Sequence, residues 1–216
     1  MKCITLSGVD GSGKSTQLKL LREKLERENW NVAYFHAVEF SLANKIARFF
    51  KGQKTFEAGK EKAVTNTSWF SLIVRQKFLF LDILRFRFLM RRLKKENCDY
   101  LLSDRYFYDS LINVEYLLEV SFPRRRESLL ATLFWIPVYT GMTWCVKYLL
   151  PHPDKAFYFD VAPERIMSRE NPPEQGREYL RTKQNLFKEK ISLWNMTVID
   201  ADRDQQTIFQ EILNKI

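Results

Sequence analysis

A glycine-rich stretch near the amino terminus constrains the fold more than any other feature of the sequence. Residues 8–16 read GVDGSGKST, follow a short apolar run that ends at Leu6, and lead into a helical pattern that begins near Lys14. A strand, a glycine-rich loop and a helix in this order predict a loop whose backbone N–H groups surround a phosphate. The first turn of the helix adds unpaired N–H donors and the positive end of its dipole.

The residue types in this loop suit a nucleoside triphosphate with its metal ion. Lys14 can reach the β- and γ-phosphates, and the Ser15 hydroxyl can join a Mg²⁺ shell. An ordinary glycine-rich turn beside a surface lysine is the alternative, but the flanking strand and helix favour triphosphate binding. The predicted ATP-binding residues are Gly8, Gly11, Ser12, Gly13, Lys14, Ser15 and Thr16.

Size, charge and cysteine content narrow the class of protein. A chain of 216 residues suits one α/β domain with a lid or an insertion. The net charge of +9 favours an anionic partner, and because the basic residues are dispersed we expect nucleotides rather than a stable nucleic acid partner. Cys3, Cys98 and Cys145 have no metal-binding spacing, and the first apolar run is too short for a signal peptide. These features predict a cytoplasmic protein.

Alternating strand and helix patterns predict a parallel sheet with helices on both faces. Ligands of such sheets lie beyond the carboxyl ends of the strands, where Gly8, His36, Asp104, Asp160 and Asp200 fall. Strands are predicted at 2–6, 31–36, 99–104, 156–161 and 196–200. Helices are predicted at 14–28, 42–50, 67–96, 108–120 and 177–194, and from an N-cap at Asp204 to the carboxyl terminus, with a loop at 53–66.

Four motifs together resemble the thymidylate kinase group of P-loop nucleoside monophosphate kinases. They are GVDGSGKST at 8–16, SDRY at 103–106 followed by Ser110, FDVAPE at 159–164 and VIDA at 198–201, with an arginine-bearing lid segment before the last. The resemblance covers most of the chain apart from about 121–150. It implies one domain over 1–216 with the three-layer P-loop NTPase fold, a five-stranded parallel sheet and a short lid at 165–178.

The resemblance also implies an activity, the transfer of the ATP γ-phosphoryl group to a nucleoside monophosphate, dTMP in the family. Such a transfer depends on positioning and on neutralising charge. Lys14, Arg105, Arg169 and Arg177 would be catalytic, Ser15 and Asp104 would bind Mg²⁺, and Asp10, Arg85, Arg105 and Tyr106 would bind the acceptor. Because Ser12 stands where some relatives carry arginine, the catalytic arginine would come from the lid.

The acceptor side departs from the family pattern. After the second strand the family usually shows Arg-Glu-Pro-Gly-Gly-Thr, whereas residues 37–42 read AVEFSL and match only at Glu39. Leu81 stands where a stacking phenylalanine is expected, and aromatic residues beside a strand, such as Tyr106, are more often core than base-stacking. A P-loop kinase for another nucleotide or small phosphoacceptor therefore stays open, as does a nucleotide-binding protein with a degenerate acceptor site.

Residues 121–150 form a second departure. Residues 122–143 resemble peptides read in frame from mobile palindromic repeats, which predicts an insertion whose removal leaves nucleotide binding intact. A membrane-associating segment at 129–146 and a cover for the substrate or for a homodimer are the alternatives. Pro137, Gly141 and the short apolar length argue against a membrane-spanning helix.

Overall fold

Five parallel strands form the centre of the protein. The computed structural model describes residues 1–42, 45, 69–121, 140–169 and 172–216. The strands lie side by side in the order β2-β3-β1-β4-β5, and every neighbouring pair is parallel. They are β1 (Lys2–Ser7), β2 (Val32–His36), β3 (Tyr100–Asp104), β4 (Lys155–Asp160) and β5 (Thr197–Asp200). The predicted five-stranded parallel sheet is confirmed.

Helices cover both faces of this sheet. Consecutive residues of β1 from Cys3 to Ser7 are all buried, although their side chains point alternately to opposite faces. The helices are α1 (Lys14–Arg27), α2 (Ala37–Phe40), α3 (Trp69–Lys95), α4 (Phe107–Ser121), α5 (Pro163–Met167), α6 (Gly176–Lys190) and α7 (Gln205–Leu213). α1 packs beside α7, and α4 packs beside α6.

The helix ends agree with the local sequence signals. The Asp204 carboxylate accepts hydrogen bonds from the backbone N–H groups of Gln206 and Thr207, at 3.0 and 2.9 Å, and so caps α7 as predicted. The predicted long helix is confirmed as α3, after which Asn97 adopts a positive φ of 55°. The predicted helix at 42–50 lies largely outside the described residues, and the loop at 53–66 lies wholly outside them.

The register of the sheet brings the carboxyl ends of the strands to one edge. Asp104 pairs with Leu6 of β1 on one side and with His36 of β2 on the other. Asp160 at the end of β4 pairs with Asp200 at the end of β5. The segments that follow β1 and β3 therefore leave the sheet next to each other, which is where the sequence predicts the functional site.

Part of the segment interpreted as an insertion belongs to the core. A π-helical turn at Cys145–Leu149 packs against α3, and the Leu149 carbonyl accepts a 2.9 Å hydrogen bond from Arg87. Met142 is only 1% exposed, and Val146 and Leu150 are also buried. Residues 122–139 lie outside the described residues. Among the helices that the structure does describe, none is both long and apolar enough to cross a membrane.

We expect the Met142→Ala substitution to lower the free energy of unfolding by about 2–5 kcal/mol, because it removes a buried side chain and leaves a cavity. Trp144→Ala is the matched control, since the Trp144 side chain is 54% exposed. It should cost less than about 1 kcal/mol. Urea unfolding monitored by circular dichroism measures both values. Equal costs would contradict a core role for Met142.

The buried residues that the structure describes in the 121–150 segment lie within residues 140–150, which predicts that residues 122–139 are not needed for ATP binding. Replacing residues 122–139 with a glycine-serine sequence of equal length should leave the affinity for ATP within about twofold of that of the unmodified chain, because residues 140–150 stay in place. Isothermal titration with ATP measures this. A folded variant that no longer binds ATP would show that the segment contributes to the site.

Candidate active site

The loop between β1 and α1 makes close backbone contact with β4. Gly8 has a φ of 143°, and a Cβ at this position would lie 2.9 Å from the Phe159 carbonyl oxygen. Gly13, with a φ of 92°, has nothing within 4 Å of its ideal Cβ position and caps α1 in the left-handed conformation. Glycine therefore supplies clearance at Gly8 and backbone conformation at both positions. The loop thus passes directly beside the carboxyl end of β4.

Lys14 turns its ammonium group back towards the loop. The Lys14 Nζ donates hydrogen bonds to the Val9 carbonyl at 2.7 Å and to the Ser12 hydroxyl at 3.0 Å. Burial lowers the pKa of Lys14 to about 8, and the Arg105 guanidinium acts in the same direction. The loop therefore encloses a buried cation, an arrangement that favours an anionic ligand in the same place.

Asp10 and Arg105 form an ion pair that joins this loop to the segment after β3. Arg105 has a positive φ of 64°, and its N–H donates to the Leu6 carbonyl at 3.0 Å. Its guanidinium donates to the Asp10 Oδ1. Burial alone would raise the pKa of Asp10, but the positive charges of Arg105, Lys183 and Lys14 outweigh burial and lower it well below the ordinary value. Asp10 is therefore charged throughout the physiological pH range.

Ser15 and Asp104 offer oxygen atoms to a metal ion. The Ser15 hydroxyl donates to Asp104 Oδ2 at 2.7 Å, and the Tyr34 hydroxyl donates to the same oxygen at 3.3 Å. A hydroxyl and a carboxylate fit Mg²⁺, which prefers oxygen ligands and takes the remainder from phosphates and water. Among the described residues no group of three or more His, Cys, Asp or Glu side chains forms a metal site.

The segment after β4 reaches the loop from the other side. The Arg169 Nη1 donates to the Gly11 carbonyl. A Cβ at Gly11 would lie 2.9 Å from the Ile166 Cγ2 of α5, so the two segments touch at van der Waals distance. Arg177 is different, because its Nε lies 3.6 Å from the Glu164 carboxylate and both side chains are more than half exposed. The structure brings Arg169 to the loop but does not bring Arg177 there.

No family model matches the chain. A probable thymidylate kinase from Methanosphaera stadtmanae is 25% identical over 216 residues, which cover 99% of this chain and 96% of that protein. The thymidylate kinase from Leptospira interrogans is 27% identical over 224 residues, covering 97% and 91%. The crystal structure of the thymidylate kinase from Ehrlichia chaffeensis shares the fold, with a TM-score of 0.55, 16% identity and coverage of 99% and 97%.

The chain is therefore similar to thymidylate kinases over nearly its full length. The full-length sequence matches agree with the resemblance that the motifs indicate, and the shared fold agrees with the observed sheet. Several predicted site residues lie in or against the glycine-rich loop. Lys14 contacts the Val9 carbonyl, Ser15 contacts Asp104, Arg105 contacts Asp10, and Arg169 contacts the Gly11 carbonyl.

Two residues that were predicted to bind the acceptor, Tyr106 and Arg85, make their contacts with other parts of the protein. Tyr106 is fully buried, its ring packs against Phe86, and its hydroxyl donates to the Pro151 carbonyl. The Tyr106 side chain is therefore part of the hydrophobic core rather than of the site around the glycine-rich loop. The Arg85 guanidinium donates to the Asp82 carboxylate at 2.6 Å and to the Phe40 carbonyl at 3.0 Å. Arg85 thereby links α3 to the end of α2.

Sequence reasoning missed two residues of α6 that reach the loop. The Tyr179 hydroxyl donates to Asp10 Oδ2 at 3.1 Å, and the Lys183 Nζ donates to the Tyr179 oxygen at 3.0 Å. The available signal was the position of Lys183 within the apolar stripe that includes Leu180 and Phe187. A lysine in such a stripe indicates a buried charge with a specific partner.

The geometries of Gly8 and Gly13 predict that substitution by alanine affects ATP binding and stability more strongly at position 8 than at position 13. Gly8→Ala should abolish measurable ATP binding and lower the melting temperature, because its Cβ would collide with the Phe159 carbonyl. Gly13→Ala should cost only the backbone strain of a positive φ, on the order of 1–2 kcal/mol. Thermal unfolding with and without ATP compares the two. Equal losses would show that backbone conformation alone, rather than the approach to β4, requires glycine at position 8.

Proposed function

We propose that the chain transfers the γ-phosphoryl group of ATP to a nucleoside monophosphate, with dTMP as the first candidate acceptor. The observation that carries this proposal is the cluster of Lys14, Arg105 and the Ser15–Asp104 pair around one glycine-rich loop. The curated relatives named thymidylate kinase, matched over nearly their full length, support the same reaction. A phosphate oxygen of the acceptor bonds to the γ-phosphorus while the bond to the bridging oxygen breaks, and ADP leaves.

Catalysis in this proposal consists of positioning and charge neutralisation. The loop N–H groups and the Lys14 ammonium bind the donor phosphates and follow the charge that moves with the transferring group. Ser15 and Asp104 would hold Mg²⁺, which neutralises charge on the β- and γ-phosphates. Arg105 lies beside the loop through its pair with Asp10, where its planar guanidinium can bind donor and acceptor phosphates together.

The lid contributes Arg169 in this scheme. Its guanidinium lies against the Gly11 carbonyl, in the loop proposed to bind the donor phosphates. Arg177 would need a movement of α6 because it now lies beside Glu164. We therefore assign the transition-state arginine of the lid to Arg169, and we keep 165–178 as the proposed extent of the lid.

A kinase for another phosphoacceptor is the second candidate function. The segment after β2 forms α2 and carries no arginine, and Arg85 is committed to Asp82 and the Phe40 carbonyl. Burial raises the pKa of Asp82, whereas its hydrogen bond from the Leu42 N–H and its contact with Arg85 favour the charged form. The two groups that would recognise dTMP in the family are thus absent or engaged within the protein.

The remaining parts of the proposal concern organisation and location. We interpret 1–216 as one domain with an insertion at 121–150, compatible with a homodimer, and we expect a cytoplasmic protein. Cys3, Cys98 and Cys145 are buried free thiols, which agrees with a reducing compartment.

A panel of nucleoside monophosphates with coupled detection of ADP tests the proposal. We expect dTMP to be turned over fastest, and Lys14→Ala to lower kcat by about 100-fold or more, because it removes a buried cation from the transferring group. Lys24→Ala is the matched control on the same helix. Lys24 is half exposed, forms an ion pair with Glu28 at 2.7 Å and lies away from the loop.

Three outcomes separate the candidate functions. Turnover of another monophosphate in place of dTMP would support the second candidate and contradict the first. ATP binding without ADP release for any acceptor would indicate a degenerate acceptor site. An equal loss of activity in Lys14→Ala and Lys24→Ala would contradict the assigned role of the loop lysine.

A further inference from the structure

Lys183 on α6 is a buried lysine, and a fully buried lysine is uncommon in proteins. The Lys183 side chain is 2% exposed and lies on the same helix face as Leu180 and Phe187, which are buried core residues. An ammonium group in such surroundings is unfavourable unless hydrogen bonds and opposite charge compensate for lost solvation. The contacts of the Lys183 ammonium group therefore indicate which part of the protein its charge stabilises.

Those contacts lead directly to the phosphate-binding loop. The Lys183 Nζ donates to the Tyr179 hydroxyl at 3.0 Å, one helical turn earlier on the same face. The Tyr179 hydroxyl uses its single proton to donate to Asp10 Oδ2 at 3.1 Å. The other oxygen of that carboxylate accepts from Arg105. A continuous line of donors thus runs from Lys183 to Asp10.

The direction of these hydrogen bonds fixes the orientation of the Tyr179 O–H group. Because Lys183 is only a donor, the Tyr179 oxygen must accept from it and send its proton to Asp10. Burial raises the pKa of Tyr179 above its ordinary value, and the nearby Asp10 charge adds to this effect, so the hydroxyl keeps its proton. The Tyr116 and Tyr179 rings pack in a T-shaped arrangement, with the centroids 5.0 Å apart, and this packing limits the rotation of the Tyr179 ring.

We propose that Lys183 is a positioning residue that, through the Tyr179 hydroxyl, fixes the Asp10 carboxylate and with it the Arg105 guanidinium at the mouth of the phosphate-binding loop. The proposal rests on the proposed phosphoryl transfer and adds to it a connection between α6 and the acceptor side of the site. The positive charges of Arg105, Lys183 and Lys14 all act on the Asp10 carboxylate, and Lys183 is in addition joined to it through the Tyr179 hydroxyl. Loss of Lys183 should therefore disturb acceptor binding more than ATP binding.

A double-mutant cycle tests the proposal with the full-length chain. The variants are Lys183→Met, which removes the charge at similar length, Tyr179→Phe, which removes only the hydroxyl, and the combination of both. Lys190→Met is the matched control, because Lys190 lies on the same helix, is only 19% exposed and forms an ion pair with Glu115 at 3.3 Å. Melting temperature and circular dichroism confirm that each variant is folded.

We expect Lys183→Met to lower kcat/KM for the acceptor by about 10- to 100-fold, with a raised acceptor KM and an ATP KM changed less than about twofold. In the Tyr179→Phe background the same substitution should have an effect at least about fivefold smaller, because the relay is already broken. Lys190→Met should leave both KM values unchanged. Additive effects of Lys183→Met and Tyr179→Phe, or an equal loss in Lys190→Met, would overturn the proposal in favour of simple packing.

Backbone hydrogen exchange gives a readout that needs no turnover. Lys183→Met and Tyr179→Phe should each speed exchange at residues 8–13 and in the first turns of α6, and the double variant should add little. Unchanged exchange at residues 8–13 would overturn the inference even if the chain phosphorylates dTMP. Conversely, a wild-type chain that phosphorylates no monophosphate contradicts the proposed function, and the exchange data then decide the inference separately.

Discussion

The pairing of β1 with β3 is the constraint on which the site depends. Because Leu6 lies opposite Asp104, the loop after β1 and the arginine after β3 leave the sheet at the same level. The Ser15–Asp104 hydrogen bond and the Asp10–Arg105 ion pair both span this junction. A shift of one residue in this register would turn the side chains to opposite faces and separate both pairs.

Positively charged side chains lie close together in the site. Carboxylates that are held in place by the backbone compensate for their charge. Lys14 and Arg105 lie close enough that Arg105 contributes to the lowered pKa of Lys14, while Asp10 and Asp104 act in the opposite direction. This balance keeps several buried or half-buried charges stable within one region. In the proposed reaction, a triphosphate would meet cations whose positions are already fixed, so little reorganisation would be needed at the moment of transfer.

Local sequence patterns predicted the sheet, the long helix and the loop because each depends on near neighbours. The GVDGSGKST spacing specifies the loop, and apolar runs such as that before Asp104 specify buried strands. The Tyr106 side chain could not be assigned in this way, since its orientation depends on Phe86 and Pro151, far away in sequence. Lys183 and Tyr179 were missed for the same reason, because Asp10 lies 169 residues from Tyr179.

The contact between Gly11 and α5 has a mechanical consequence. The hydrogen atom at the Cα of Gly11 sets the clearance to Ile166, and Arg169 three residues later spans back to the Gly11 carbonyl. Any larger side chain at position 11 would act as a wedge between the loop and α5. The absence of a side chain at Gly11 therefore allows the loop and α5 to lie this close together, with Arg169 held against the Gly11 carbonyl.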